Sequence, residues 1–373
     1  MKTVRRMLYR DIVASVTFVA LAFLALFYFI DLVDQLGDVG VRGSGALHAA
    51  LGAAYELPGH AYELVPIALL IGTIYSLARL AQSSEFTILR TGGLGPGQAL
   101  VMLAGLGLSF SLLTHVLGDY VAPWSERQAV LHRAQGAEGT GGLRIGGAGA
   151  WIKERRGTPQ GERSYSINIA ATGSGGSRLA VRIFEFDAAG RLVSRVSARQ
   201  GRVADDGRWL LSDAEVTEWP AARDEAMRPV RQRQEPALEW PSTLTPDVVA
   251  AAVLPLRTMS TVELWRYSAH LSGQEQASQR YEIQFWKKAL YPLACLVMVA
   301  LALPFAYLHA RGGGISLKVF GGIMIGIGFV LLNNLAGHVG LLRGWSPWVA
   351  ASAPSGLFLL LSLAAFAWLV RFR

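Results

Sequence analysis

Six long, mostly apolar runs constrain this chain more than any other feature. They cover roughly residues 12–33, 61–80, 99–122, 286–308, 317–336 and 348–370. A helix rises ~1.5 Å per residue, so about 20 apolar residues cross the ~30 Å hydrocarbon core of a bilayer. Lipid offers no hydrogen-bond partners, and a helix satisfies its backbone groups internally. Composition agrees, since 52% of the 373 residues are hydrophobic, above the usual share for a soluble domain. The stretch Ile12–Ile30 carries no charge and is followed by Asp31 and Asp34, not by a small-residue cleavage motif. It reads as a retained span and not as a cleaved signal peptide.

Lysine and arginine set the expected orientation. Lys2, Arg5, Arg6 and Arg10 precede span one, Arg79 and Arg90 border the connection after span two, Arg311 and Lys318 border that after span four, and Arg371 and Arg373 end the chain. All fall on one side of a six-span path, so both termini are expected in the cytoplasm. The opposite side receives residues 34–59, the large insert 123–284 and the loop 337–347. Lys287 and Lys288 begin span four from that side and break the rule locally. The net charge of +8 thus reflects membrane anchoring and topology more than nucleic-acid binding.

The insert changes character. After a glycine-rich lead-in at 136–149, Val181 and Ile183 share one face, and Leu192, Val196 and Ala198 alternate with Arg191, Arg195 and Arg199. Trp209 and Leu211 continue the pattern, and Asp187–Gly190 and Asp205–Gly207 are turn signals. This predicts an all-β domain of about a hundred residues, a sandwich or jelly roll. The fold class is therefore an α-helical membrane protein with six transmembrane helices and an inserted all-β domain, a sandwich or jelly roll, between helices three and four. Residues 1–122 hold the first three helices and 123–260 the periplasmic β domain with its linkers. Residues 261–373 hold a connecting helix and the last three spans.

The connection Leu80–Gly97 carries one acid, Glu85, and suits a brief helix over about 82–91. Phe86, Ile88 and Leu89 give it an apolar side, Ser83 or Ser84 can cap it, and Gly92–Gly93 stop it. A short helix between spans can dock into a groove on a soluble partner and carry its motion into the membrane. The expectation is the coupling helix of an ATP-driven permease; an ordinary amphipathic turn resting on the membrane surface has the same pattern.

Chemistry of the chain's own is not expected. There is no Gly-x4-Gly-Lys-Ser/Thr, no His-Glu-x-x-His and no Gly-x-Ser-x-Gly, and the seven histidines are scattered. The single cysteine, Cys295, excludes a disulfide or a cysteine metal cluster within one chain. No cofactor, metal or catalytic residue is predicted. The acids Asp31, Glu63 and Asp119 sit near span ends, and Asn333 and Asn334 are neutral. A secondary transporter would place ion-coupling groups nearer the midplane. Arg127, Arg133, Lys287, Lys288 and Arg343 border the outer side. There they either bind the phosphates of a large lipid or snorkel to ordinary headgroups.

Several motifs then stand in a telling order: Val33-Asp34-Gln35-Leu36, Leu80-Ala81-Gln82-Ser83-Ser84-Glu85, Val121-Ala122-Pro123, Arg133-Ala134-Gln135 and Thr245-Pro246-Asp247. In this the chain resembles the LptF/LptG family of lipopolysaccharide export permeases, nearer the LptG branch. The resemblance implies a permease subunit of an ABC transporter, with the all-β insert between helices three and four a periplasmic β-jellyroll. It would extract lipopolysaccharide from the outer leaflet of the bacterial inner membrane and pass it to a periplasmic β-jellyroll bridge. The implied partners are an LptF-type permease, an LptB-type ATPase dimer that uses ATP and Mg, the membrane-anchored jellyroll protein LptC and the bridge protein LptA. Gln82, Ser84, Glu85, Phe86 and Arg90 would couple to the ATPase. Spans one and five would form lateral gates, with Phe23, Phe27, Ile30, Arg127, Arg133, Lys318 and Phe320 as substrate-facing candidates. One departure stands out: where the family carries lysines around the Val-Asp-Gln-Leu motif, this chain has Asp31, Gly37 and Asp38. A membrane anchor that recruits periplasmic partners through its β domain is the competing reading, and it needs no acid-bearing helix after span two. A membrane-embedded enzyme lacks a catalytic set, and ABC lipoprotein or macrolide exporters have four spans per chain.

Overall fold

The computed structural model describes residues 2–42, 45–83, 96–135, 150–158, 161–172, 178–204, 208–219, 230–242, 256–270, 275–307 and 314–372. They form two compact units. One comprises Met1–Gln35, Ala53–Glu126 and Thr258–Arg373, the other Leu36–Gly52 and Arg127–Arg257.

The first unit is a helical bundle. The helices are α1 (Lys2–Arg42), α2 (Ala46–Gln82), α3 (Pro96–Val116), α4 (Ala122–Gln135), α5 (Thr261–His270), α6 (Glu275–Leu290), α7 (Ala294–Tyr307), α8 (Ile315–Leu342) and α9 (Pro347–Phe372), of which the end of α1, the start of α2 and α4 from Arg127 on belong to the second unit. Among the described residues, six stretches are long and apolar enough to cross a membrane: Arg5–Gly37, Ala46–Gln82, Gly97–Ala129, Ser278–Phe305, Ile315–Leu342 and Pro347–Trp368. These helices run past the apolar runs of the sequence, because a helix continues into water as long as its residues tolerate the conformation. Span three passes from α3 into α4 through a π-helical turn, Leu117–Val121. Span four is interrupted by a 3-10 turn at Tyr291–Leu293, where Pro292 removes a backbone donor.

Helix α2 is the centre of the bundle. Its Val65, Ala68 and Leu69 pack with Leu8, Ile12 and Val16 of α1, Leu103 and Leu106 of α3, and Cys295, Val299 and Leu303 of α7. On its other side Leu70 and Ile74 pack with Met298, Ala302, Phe329 and Phe358. Close approach is made possible by small residues, as expected where lipid supplies no hydrophobic drive between helices. A Cβ at Gly72 would lie 2.7 Å from the Val16 Cα, so α1 and α2 cross there almost backbone to backbone. Gly322 and Gly326 of α8 receive Ile74 and Ile67 of α2 in the same way, at 2.7 and 2.8 Å from an added Cβ.

The second unit carries the inserted sheet. Strands β1 (Ala150–Thr158), β2 (Gly161–Thr172), β3 (Arg178–Phe186), β4 (Leu192–Val203), β5 (Trp209–Glu218) and β6 (Arg231–Trp240) pair antiparallel in chain order. The alternation seen in the sequence becomes a buried face of Tyr165, Ile167, Ile169, Val181, Ile183, Val196 and Ala198. The parity then shifts. Trp209 and Leu211 are buried, but so are Ala214 and Val216. Asp213, at φ 52°, is the reason. The pairing keeps count on both sides of it, with Ser212 opposite Ala237 and Ala214 opposite Glu235 in β6, and Ser212 opposite Gln200 and Ala214 opposite Ala198 in β4, so Asp213 turns the strand over without adding a residue. By that count it faces Pro236, which has no N–H to donate and sits on the edge strand β6, where the missing ladder bond costs least. The sheet also curls and tilts. Arg156 near the end of β1 stacks over the Tyr165 and Trp240 rings at 4.6 and 4.4 Å, and Ser242 donates to Glu154. The first and last strands therefore meet through side chains, with the apolar face inside the curl. At the β3–β4 turn, N–H groups of Arg191 and Ala189 and the Arg191 guanidinium hold the Asp187 carboxyl below its ordinary range.

The Gly72 crossing gives a direct test. Gly72→Leu should destabilise the bundle by about 1–3 kcal/mol through overpacking, seen as a lower thermal midpoint in detergent. Gly356→Ala on α9, where nothing lies within 4 Å of an added Cβ, should leave the midpoint unchanged or slightly raised.

Candidate functional site

α1 and α2 form an antiparallel pair with polar contacts at both ends and the Gly72 crossing between them. At one end the Arg79 guanidinium donates to Asp11 at 2.9 Å. At the other, which leads into the short α1–α2 connection, His60 Nε2 lies 2.9 Å from Asp31 Oδ2, and the Gln35 amide donates to Glu56 at 3.4 Å. Phe27 stacks on the His60 ring with centroids 4.8 Å apart. Helical spacing explains the grouping. Phe27, Asp31 and Gln35 recur every four residues on α1, as do Glu56 and His60 on α2, so each set lies on one helix face.

A second knot ties spans two, three and four. The Gly118 Cα in the π turn lies under the Tyr62 ring, which an added Cβ would meet at 2.4 Å. Tyr62 packs on Tyr291, whose hydroxyl donates to the Glu63 carbonyl at 2.6 Å. Asp119, in the same turn, accepts from the Thr261 N–H at 2.9 Å and from its hydroxyl at 2.5 Å. It therefore caps the start of α5 across 142 residues of chain. Lys288, one of the two topological exceptions, donates to the Met259 carbonyl at 2.5 Å. Lys287 lies across Gly337 of α8. These two cations have places in the bundle that the sequence did not explain.

The candidates from the sequence are placed as follows. On α1, Phe23 and Phe27 are half-buried and Ile30 is exposed, within an apolar stripe that includes the exposed Phe18, Leu21, Leu26, Phe29 and Val33. On α8, Phe320 is exposed beside Leu317, Met324, Ile327 and Leu331, whereas Lys318 is buried in the first turn. The opposite, glycine-lined face of α8 is the one that packs on α2. Arg127 is half-buried on α4; Arg133 is on the same helix, and its side chain lies outside the described residues. Gln82 is the exposed last residue of α2, while Ser84, Glu85, Phe86 and Arg90 lie outside the described residues. Of the candidates, Phe27 is brought into the Asp31–His60 group. Sequence reading passed over that group, because its members stand 29 residues apart; the i, i+4 spacing on each helix was the available signal.

Six spanning helices with an inserted antiparallel sheet after the third, and apolar faces left open on α1 and α8, are the geometry on which the comparisons bear. Residues 6–369 match the sequence profile of the lipopolysaccharide export system permease LptF/LptG. The chain belongs to this family. It is 28% identical over 335 residues to the lipopolysaccharide export system permease protein LptG of Escherichia coli K12, covering 90% of this chain and 89% of that one. It is 24% identical over 360 residues to the Haemophilus influenzae protein of the same name, covering 96% of each. The family assignment and the fold class read from the sequence are thereby borne out. A multi-pass membrane protein with a role in lipopolysaccharide export follows from the family and from the six helices.

The Asp119 cap is testable. Asp119→Ala leaves the Thr261 N–H and hydroxyl without their acceptor and should cost about 1–3 kcal/mol. Asp119→Asn keeps one acceptor oxygen and should retain most of the stability, measured by thermal unfolding of the detergent-solubilised chain.

Proposed function

We propose that this chain is the LptG-type permease subunit of an ATP-driven lipopolysaccharide exporter. It pairs with an LptF-type permease on an LptB-type ATPase dimer. It extracts lipopolysaccharide from the outer leaflet of the inner membrane and passes it through its β domain to LptC and LptA. Both termini are cytoplasmic and the β domain periplasmic, in keeping with the lysine and arginine distribution.

The observation that carries this reading is the unequal burial of the spans. Within the apolar window of α2, 78% of residues are buried inside the chain, against 11% for α1 and 22% for α8. Span four buries 50% and spans three and six 28% each, so α1 and α8 are the most open of the six. The open stripes of α1 and α8 suit contacts with a second permease and with lipid acyl chains, which makes Phe23, Phe27, Ile30 and Phe320 gate-lining residues. Arg127 and Arg133, on the outer side, supply cations suited to phosphate, while Lys318 marks the cytoplasmic start of the α8 gate helix.

The mechanism follows from elementary energetics. ATP binding closes the partner dimer, and the segment after Gln82 moves with it, held by Ser84, Glu85, Phe86 and Arg90. The spans narrow, and the acyl chains lose their apolar lining. Each CH₂ exposed to water costs ~0.8 kcal/mol, so whole acyl chains do not cross water unaided. A curled sheet with an apolar inner face removes most of that cost. ATP and Mg are used by the partner, and this chain needs no cofactor for the task.

The test is co-purification. The ATPase dimer should come down with this chain when the second permease is co-expressed, and Glu85→Ala should abolish capture while leaving membrane insertion and thermal stability unchanged. Absence of any ATPase with every partner present would favour a non-transport anchor.

A further inference from the structure

Asp31, Glu56 and His60 each offer one ligand atom, and these three atoms all lie within 4.8 Å of one another. The group joins α1 to α2 at the connection end of the hairpin. We propose that it is a binding site for a zinc-like divalent transition-metal ion, held by His60 Nε2 and one carboxylate oxygen each from Asp31 and Glu56.

The donor set and its support argue for this. One imidazole with two carboxylates suits a borderline-soft divalent ion and not a purely oxygen-seeking one. Bonds of about 2.0–2.2 Å place tetrahedral ligand atoms about 3.3–3.6 Å apart. His60 Nε2 and Asp31 Oδ2, at 2.9 Å, are already close to that range. The Glu56 oxygen lies within 4.8 Å of both. All three ligands are on helices, Asp31 on α1 and Glu56 and His60 on α2. The Phe27 ring, 4.8 Å from that of His60, fixes the imidazole plane. The Gln35 amide donates to the Glu56 carboxylate, the outer partner that orients metal-ligating carboxylates. The His60 and Asp31 side chains keep 24% and 14% of their surface in solvent. That leaves room for water, or an anionic oxygen of a ligand, at the fourth position. The ion neutralises two adjacent carboxylates and staples α1 to α2. The metal-free expectation drawn from the sequence rested on linear spacing, which does not register ligands from two helices. The inference is independent of the transport reading.

The experiment uses the full-length, tag-free chain in detergent, stripped with chelator and titrated with Co²⁺ and Zn²⁺. The unmodified chain should take up one equivalent of Co²⁺ with visible ligand-field absorption. Glu56→Gln and His60→Gln should lose it, and Gln35→Ala should bind about tenfold more weakly. In the unmodified chain, Zn²⁺ should shield His60 from diethyl pyrocarbonate while His338 stays reactive. Equal binding by the Glu56→Gln chain, equal modification of His60 with and without Zn²⁺, or no binding by the unmodified chain would each overturn the proposal.

Discussion

The close crossing of α1 and α2 is the contact on which the rest of the bundle depends. In lipid, helices gain little from hiding apolar side chains, since the solvent is as apolar as they are. What holds them is dense packing and the few polar contacts that lipid cannot replace. Gly72 lets the α1 backbone approach, and Asp11–Arg79 and Asp31–His60 fix the register at either end. With α1 anchored on one face, α2 is free to bury its remaining surface against α3, α7 and α8. The far face of α1 remains open, and that open face is what the transport reading requires.

The β domain solves a different problem in water. Its strands lie in chain order, joined where described by short links such as Asp187–Gly190, so each pairing is local and cheap to close. A flat sheet would leave one apolar face wet. Curling brings Arg156 over Trp240 and closes the apolar face around itself. The polar seam of Glu154, Arg156 and Ser242 satisfies its own hydrogen bonds.

Much of this was legible in the sequence. The spans were, because a run of about twenty apolar residues has few other uses. Val181, Ile183, Val196 and Ala198 were, because a half-buried strand alternates. Three things were not. The positive φ at Asp213 breaks alternation through backbone geometry, which residue type signals only weakly. The Asp119–Thr261 cap joins residues 142 apart, beyond any local rule. The Asp31–Glu56–His60 group needs the pairing of two helices before its members meet. The segment after Ser83, expected to couple to an ATPase, lies outside the described residues and rests on its motif alone, and Arg133 was legible only as a charge near a span end.

The central claim is that the open faces of α1 and α8 conduct a lipid under the control of ATP. Its most direct measurement is site-specific photocrosslinking in proteoliposomes that contain this chain, the second permease, the ATPase and lipopolysaccharide. Probes at Phe27 and Phe320 should capture lipopolysaccharide without nucleotide, and ATP should move the crosslinks to probes at Ile167 and Ile183 in the β domain. Crosslinks that appear at neither helix, or that ignore ATP, would contradict the account.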